Sequence, residues 1–486
     1  MKTLKDILHQ IDFQLISGSL DQEINALQFD SRIVQKNDLF FAIVGVANDG
    51  HLFVDKVIAA GCTALIVQRK LDLPLEITQI IVKDTNEALA LAACNFYEHP
   101  ADKLKLIGIT GTNGKTTTTT LLFDLFTQLG YKTGLLSTVV NRIGDLEIPA
   151  THTTPNPIAL NSLLNQMVEA GCAYCFMEVS SHALHQNRVA GIRFSGAVFT
   201  NITHDHLDYH HTFSEYIKVK KSLFDHLPSN AFALSNLDDK NGNVMLQNTQ
   251  AKKASFALKT MADFKGKVLQ NDFSGLMMSI NGTELYTRLI GEFNASNLLA
   301  VFGVTQLLDL DANEVLQVLS NLNAVDGRFQ FMNSDTGITA VVDYAHTPDA
   351  LENVLSTIKS IQNQKSKIIT IVGCGGDRDK SKRPEMAKIA VAFSQQVILT
   401  SDNPRTENPN DILDEMRGGL SATESLIALT IPDRKQAIQT AIILAQPGDI
   451  LLIAGKGHEK YQEINGVKYD FDDFEITSEL FKQMRK

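Results

Sequence analysis

The chain has 486 residues, room for about three domains at roughly 100–200 residues each. Hydrophobic residues make up 44% and charged residues 20%, a globular composition that excludes a disordered or fibrous chain. With 44 Lys+Arg against 55 Asp+Glu the net charge is −11, which argues against a general nucleic-acid or anionic-membrane surface but leaves room for a local anion site.

No apolar run reaches the roughly 18–20 residues of a membrane helix. The opening MKTLKDILHQ carries Asp6 and His9 where a signal peptide would be apolar, so a cytoplasmic protein without membrane insertion is expected. Five cysteines, an odd count in a long chain, fit a reducing compartment. Cys172 and Cys175 form a lone C-x-x-C inside the apolar stretch CAYCFMEV, which reads as a buried strand with plain core cysteines.

In chain order, LFFAIVG (39–45) and TALIVQ (63–68) are short β-rich runs with a helical pattern around 52–60 between them. The polar stretch YEHPADK (97–103), with Pro100, marks a first boundary. LIGIT (106–110) opens a central region that ends near Gly327–Arg328. Beyond it, strands at 338–344, 367–373, 396–401 and 449–455 alternate with helices starting at Pro348, about Pro384, Pro409 and Pro432. Strands separated by helices predict a doubly wound parallel sheet, and proline costs little in a first helical turn. The expectation is an α/β protein of three domains: a small N-terminal α/β domain (1–100), a central P-loop domain with a mainly parallel sheet (101–328), and a C-terminal Rossmann-like domain (329–486).

The strongest motif is Gly111-Thr112-Asn113-Gly114-Lys115-Thr116-Thr117, with a strand leading in and an amphipathic helix (Leu121, Leu122, Leu125, Leu129) leading out. That geometry aims backbone N–H groups at a phosphate, with Lys115 as point charge and Thr116 as a Mg²⁺ ligand. Ile109 stands where the strict pattern has its first glycine. Glu178 in MEVSSH follows an apolar strand, and with the imidazoles of THDHLDYHH (203–211) it could hold Mg²⁺ beside the phosphates. Four nearby histidines also leave zinc open, without a repeated spacing or a thiolate to support it.

Phe213, Tyr216, Ile217, Lys220, Leu223, Phe224 and Leu227 form an apolar helical stripe with one lysine in it. Lys220 either snorkels to the surface or is desolvated with a lowered pKa, able to take up CO₂ as a carbamate. Lys218 and Lys221 read as solvated. In the last region Gly375-Gly376-Asp377-Arg378, Asp402-Asn403-Pro404-Arg405 and Gly455-Lys456-Gly457-His458-Glu459 each follow a strand, so they gather at the carboxyl edge of the sheet, where ligands bind. Two arginines suit carboxylates, and Glu459 and Asp402 suit ammonium groups, which implies a zwitterion such as an amino acid. Asp343-Tyr344-Ala345-His346 reads as a strand-to-helix turn lining the nucleotide.

GTNGKTT, EVSSH, HDHLDYH, GRF at 327–329, DYAHTPDAL, GCGGDRDKSKRPEM, DNPRTENP and AGKGHE occur in this order over most of the chain, and the series resembles the Mur ligases of bacterial cell-wall synthesis. The resemblance implies one domain for a UDP-sugar, one ATPase and one for an incoming amino acid. It implies ATP binding by Gly111 through Thr117, with Asn294, Asn297, Arg328, Asp343 and His346 near the nucleotide. Lys115, Lys220, His206 and Glu178 would be catalytic, and Thr116, Glu178, His206 and a carbamylated Lys220 would be Mg²⁺ ligands or their neighbours. Ser31, Val46, Ala47 and Asn48 align with the uridine end of the substrate, and Thr153, Thr154, Asn156, Ser180, Gln186 and Arg188 with its muramoyl-dipeptide. Arg378, Asp402, Asn403, Pro404, Arg405, Gly455 and Glu459 align with the amino-acid site.

The DNPR loop implies meso-diaminopimelate as the amino acid, joined to a UDP-muramoyl-dipeptide by a monomeric ligase that turns ATP into ADP and phosphate for peptidoglycan synthesis. Charge arithmetic agrees. Lysine would set its ammonium near an unpaired Arg405, and like charges 4 Å apart at an effective dielectric of 20 repel by about 4 kcal/mol at most. A lysine-adding ligase, a folylpolyglutamate-synthase-like ligase and a P-loop switch NTPase are the alternatives.

Overall fold

A computed structural model describes residues 2–486 apart from positions 46, 47, 204, 206 and 211; at 207 and 208 it describes the backbone alone. The expectations for Val46, Ala47 and His206, and the zinc reading of the histidine run, therefore rest wholly or partly outside the described residues.

Three sheets carry the chain. The first has five strands in the order Gln14–Ser17, Thr78–Ile81, Ala64–Val67, Leu39–Phe41, Leu27–Gln28, parallel except at its first edge. The run predicted at 39–45 is strand only to Phe41, because the chain turns back there: Gly50 N–H donates to Ile43 O. Helices Val54–Ala59 and Thr85–Phe96 bury Val54, Val57, Ala88, Leu89 and Ala92 against this sheet.

The central sheet has eleven strands. Its parallel heart runs Thr133–Leu136, Tyr174–Glu178, Lys105–Thr110, Gly196–Phe199, Phe232–Asn236; the sheet continues in parallel through Lys252–Ala257 to Phe264–Asp272 and has antiparallel pairings at both flanks. These heart strands are almost entirely buried on both faces, which is why they read as continuous apolar runs. Helices Lys115–Gln128 and Glu292–Leu307 cover one face and Pro157–Glu169 and Phe213–Asp225 the other. Cys172 and Cys175 are buried in the second of these cores.

The last sheet has six strands in the order Gln330–Asn333, Thr339–Asp343, Ile450–Ala454, Ile368–Val372, Gln396–Leu399, Ala428–Thr430, parallel after the first. The predicted helices at Pro348 and Pro409 begin there. The helix expected from Pro432 begins at Arg434, because the Asp433 carboxylate accepts from Gln436 N–H and caps it. The one expected near Pro384 begins at Lys382, with the proline inside the first turn.

Candidate functional site

The loop after Lys105–Thr110 is shaped by two glycines. A Cβ at Gly111 would lie 1.9 Å from Thr200 Oγ1, and Gly114 has φ 84° with Asn297 Oδ1 only 2.6 Å from a would-be Cβ. Glycine is therefore required where the loop meets its neighbours and enters the helix. Asn297 lies beside the loop as expected, and Asn294 Oδ1 accepts from Asn297 Nδ2 at 3.3 Å.

Two lysines converge on one carbonyl of this loop. Lys115 Nζ donates to Gly111 O at 3.0 Å and Thr112 O at 2.8 Å, while Lys220 Nζ donates to Gly111 O at 2.9 Å. Lys220 is 1% exposed and its ammonium lies 4.7 Å from the centre of the Tyr216 ring. Burial, then the charge of Lys115, drive its pKa well below the ordinary lysine value, with Asp205 opposing. Burial also lowers Lys115, against the pull of Glu178 and Asp205. Lys220 is thus desolvated, and the snorkelling alternative is excluded. Its neighbour Lys221, expected to be solvated, is buried too, but it is paired with Asp225; the helix turns it toward an acidic partner four residues on.

Glu178 ends the neighbouring strand, fully buried, and its carboxylate accepts from Thr138 N–H at 2.8 Å and Thr138 Oγ1 at 3.2 Å. Thr138 then links to Thr153 Oγ1 at 3.1 Å. Thr154 Oγ1 donates to Glu178 O at 2.8 Å and accepts from Ser180 N–H at 3.1 Å. Arg188 donates to Thr154 O at 2.9 Å and to Gln186 Oε1 at 2.7 Å, and Gln186 reaches Tyr209 OH at 3.1 Å. Thr153, Thr154, Ser180, Gln186 and Arg188 are thereby one connected network beside the phosphate loop. Asn156 stands apart from it, its Oδ1 occupied in capping Pro157–Glu169 through Ala159 N–H. Ser31 and Asn48 lie in the N-terminal sheet region, and no side-chain hydrogen bond ties them to this network among the described residues. That region does reach it through Asp84 Oδ2, which accepts from Asn187 Nδ2 at 3.2 Å.

The C-terminal sheet edge closes onto the same loop. Arg328 donates to Thr116 Oγ1 at 3.1 Å and its guanidinium lies 4.6 Å from the Tyr344 ring centre. Asp343 accepts from Phe329 N–H and Ala345 N–H at 2.7 and 2.8 Å; burial raises its pKa, and Arg328 with these N–H groups opposes the rise. His346 Nδ1 is 2.8 Å from Tyr344 O and its ring remains exposed. Asp349 Oδ2 accepts from Asn113 Nδ2 at 2.7 Å and Thr203 Oγ1 at 3.1 Å, and Lys382 pairs with Asp205 at 2.7 Å. A cleft of about 800 Å³ lies between Thr203 and Asp205 on one wall and Asp349 and Lys382 on the other.

The three C-terminal loops meet as predicted, around a residue to which the sequence reading gave no role. Lys456, fully buried, donates to Asn403 Oδ1 at 3.0 Å and Glu459 Oε2 at 3.2 Å and lies 3.9 Å from Asp402. Asn403 Nδ2 completes the ring by donating to Glu459 Oε2 at 2.7 Å. Gly455, at φ 117°, has Asp402 Oδ2 2.5 Å from a would-be Cβ. Arg405 Nη1 donates to Gly376 O at 2.7 Å, and the Pro404 carbonyl presses on Gly376 so closely that a Cβ would lie 1.9 Å from it. Arg378 is exposed at the rim. His458 packs against Tyr344 with ring centres 4.7 Å apart and planes tilted by 44°, joining this cluster to the turn that meets the Gly111–Thr117 loop through Arg328. Asp349, Lys382, Asp205 and Lys456 lie inside the quoted motifs but were given no role there, and Thr138 lies in none of them. Among the described residues no group of three or more His, Cys, Asp or Glu gathers as a metal cluster, and no helix is long and apolar enough to cross a membrane.

A strand–glycine-loop–helix unit facing the loop edge of a second, mostly parallel sheet is a layout that fits an ATP-using α/β ligase. Comparison with known proteins makes this specific. Three family descriptions match: "Mur ligase family, catalytic domain" over residues 23–100, "Mur ligase middle domain" over 109–305 and "Mur ligase, glutamate ligase domain" over 327–457. The UDP-N-acetylmuramoyl-L-alanyl-D-glutamate–2,6-diaminopimelate ligase of Cytophaga hutchinsonii is 54% identical over 485 residues, covering 99% of this chain and 100% of that one. The protein of the same name from Bacteroides fragilis is 51% identical, covering 98% and 99%. A solved structure of a ligase of that name superposes with TM-score 0.70 at 31% identity, covering 100% of this chain and 99% of the other. The chain belongs to the Mur ligase family.

Proposed function

We propose that this enzyme uses ATP to join meso-diaminopimelate to the glutamate of a UDP-muramoyl-dipeptide, forming an amide and releasing ADP and phosphate for peptidoglycan synthesis. One observation carries the reading. The phosphate loop and the three amino-acid loops share contacts through Arg328, Tyr344 and His458, so an activated carboxylate and an incoming amine have a common meeting place. A switch NTPase gives those loops no role, and the relatives' own names favour this ligase over a lysine-adding or folate enzyme.

In this mechanism residues 1–100 hold the uridine end, 101–328 the ATP and 329–486 the amino acid. The loop N–H groups from Gly111 to Thr117 and Lys115 cradle the phosphates, with Asn294, Asn297, Arg328, Asp343 and His346 around the nucleotide. Thr153, Thr154, Asn156, Ser180, Gln186 and Arg188 orient the dipeptide; Ser31, Val46, Ala47 and Asn48 hold its far end. The glutamate carboxylate attacks the γ-phosphate in line, an acyl phosphate forms, and the neutral amine then attacks its carbonyl carbon and expels phosphate. Asp402, Asn403 and Glu459, locked by Lys456, receive ammonium groups, and Arg405 and Arg378 receive carboxylates. Contacts such as Asn113–Asp349 hold the C-terminal unit over the phosphate loop and keep water from the acyl phosphate.

The donor set fits Mg²⁺. Glu178 is a buried carboxylate beside Lys115, Thr116 offers a hydroxyl, and the buried Lys220, its pKa lowered by desolvation, would in its neutral form take up CO₂ with loss of a proton to give a carbamate oxygen donor. Mg²⁺ held there, with His206 as the further neighbour that the motif resemblance implies, would supply charge neutralisation on the transferring phosphoryl group.

The test is phosphate release from ATP with each substrate omitted in turn, across a panel of amino acids. Release should require both the UDP-dipeptide and meso-diaminopimelate, and ¹⁸O from the dipeptide carboxylate should appear in the phosphate. Release with ATP alone, or unlabelled phosphate, would overturn the ligase reading or the acyl phosphate respectively.

A further inference from the structure

The hairpin of Tyr461–Ile464 and Val467–Asp470 lies just past residue 457, where the matched C-terminal family domain ends. It is laced to the amino-acid loop. Gln462 Nε2 donates to Asp402 O at 2.7 Å and Glu463 N–H to Asn403 Oδ1 at 2.9 Å. Arg405 N–H donates to Glu463 O at 3.1 Å, and Asn465 N–H donates to Arg405 O at 2.7 Å. Both backbone groups of Arg405 are thus held by the hairpin turn. The grip matters because Arg405 sits at φ 51°, a left-handed conformation that a residue with a Cβ keeps only when its surroundings enforce it.

The hairpin also sets a charge. Glu463 Oε2 lies 3.7 Å from Arg405 Nε, with 26% and 22% of the two side chains exposed. Asp402 and Glu459 already share the buried ammonium of Lys456, at 3.9 and 3.2 Å. Among the described residues Glu463 is ion-paired with Arg405 alone, and Arg405 is the cation assigned above to the substrate's far carboxylate.

We propose that Glu463 is a specificity-determining residue of the amine-substrate pocket, selecting a far end that bears an ammonium together with its carboxylate. This rests on the reading of Arg405 given above. When a substrate carboxylate engages Arg405, Glu463 must share its cation, and the ammonium on the same substrate carbon replaces what it loses. A diacid without that ammonium sets its carboxylate against Glu463 uncompensated. A diamine without the carboxylate leaves Arg405 and Glu463 paired, so its ammonium meets a neutral pair instead of a bare guanidinium. Removing the Glu463 charge therefore moves the two analogues in opposite directions.

The experiment uses the full chain with Glu463→Gln and Glu463→Ala, at saturating ATP and UDP-dipeptide. It compares kcat/KM for meso-diaminopimelate, 2-aminopimelate (no far ammonium) and L-lysine (no far carboxylate). In both variants 2-aminopimelate should gain about fivefold relative to meso-diaminopimelate, and lysine should lose by about the same factor, the scale of a partly exposed charge pair. KM for ATP and the UDP-dipeptide should hold. A merely structural role would lower all three amines in parallel; that outcome, or unmoved ratios, overturns the role of Glu463. A parent enzyme inactive with meso-diaminopimelate overturns the substrate reading and this inference with it.

Discussion

Two fully buried cations show how differently this molecule treats charge. Lys220, under the phosphate loop, donates to the Gly111 carbonyl and faces the Tyr216 ring, and burial drives its pKa down. Arg434, behind the C-terminal sheet, is gripped by Asp473 through two hydrogen bonds of 2.8 and 2.7 Å and donates a third to Ala454 O at 3.0 Å. Burial pulls its pKa down as well, but the Asp473 charge and hydrogen bonds outweigh it and the net shift is upward. A buried charge with its partner in place is a structural clamp. A buried amine with no carboxylate bonded to it, its proton loosened by burial, is suited to react.

The comparison breaks most readily at Lys220. Lys220→Ala should lower kcat about 10³-fold if the carbamate takes part in phosphoryl transfer. Added short carboxylic acids should restore part of that activity in a steady-state assay; a variant as active as the parent would remove the carbamate from the mechanism. Lys221→Ala, one residue along and ion-paired, should leave kcat within about twofold and cost no more than about 1 kcal/mol in urea unfolding.

Arg434 should behave in the opposite way. Asp473→Ala leaves the guanidinium buried and unpaired and should cost about 3–5 kcal/mol in denaturant unfolding. The pair replaced together by Met and Leu should recover much of that loss. If the single variant unfolds like the parent, the clamp reading fails.

A further effect concerns acid. Burial, then the charges of Arg328, His346 and Lys456, lower the His458 pKa from 6.5 to about 3. Between those values the unfolded chain takes up a proton that the folded one refuses, so this group's contribution to stability is intact above pH 6.5 and is lost as pH falls toward 3. His458→Gln should flatten the fall of the urea midpoint between pH 7 and 4. An unchanged slope would show that His458 charges freely in the fold.

The strand–loop–helix geometry around Gly111–Thr117 was legible because it is local: strand, glycines, lysine and helix are contiguous, and their geometry follows from backbone rules. Lys220 was legible from a single helical stripe, and the three C-terminal loops from the rule that parallel strands end at one edge. The pairings of Asp349 and Lys382 were not, because their partners Asn113 and Asp205 lie 236 and 177 residues away and the motifs around them do not say what they face. Lys221 looked solvated for the same reason; a charged side chain's exposure depends on what packs over it.

The sequence by itself determined the order of elements, the α/β class, the phosphate loop and which strand ends carry polar groups, because periodicity, turn chemistry and helix starts are short-range. Only the tertiary structure decided which charges are paired, which amine is desolvated, how the hairpin after Lys460 grips Arg405, and that the three C-terminal loops face the Gly111–Thr117 loop. Desolvation and Coulomb attraction act through space, and the chain's order does not encode which distant residues come within a few ångströms.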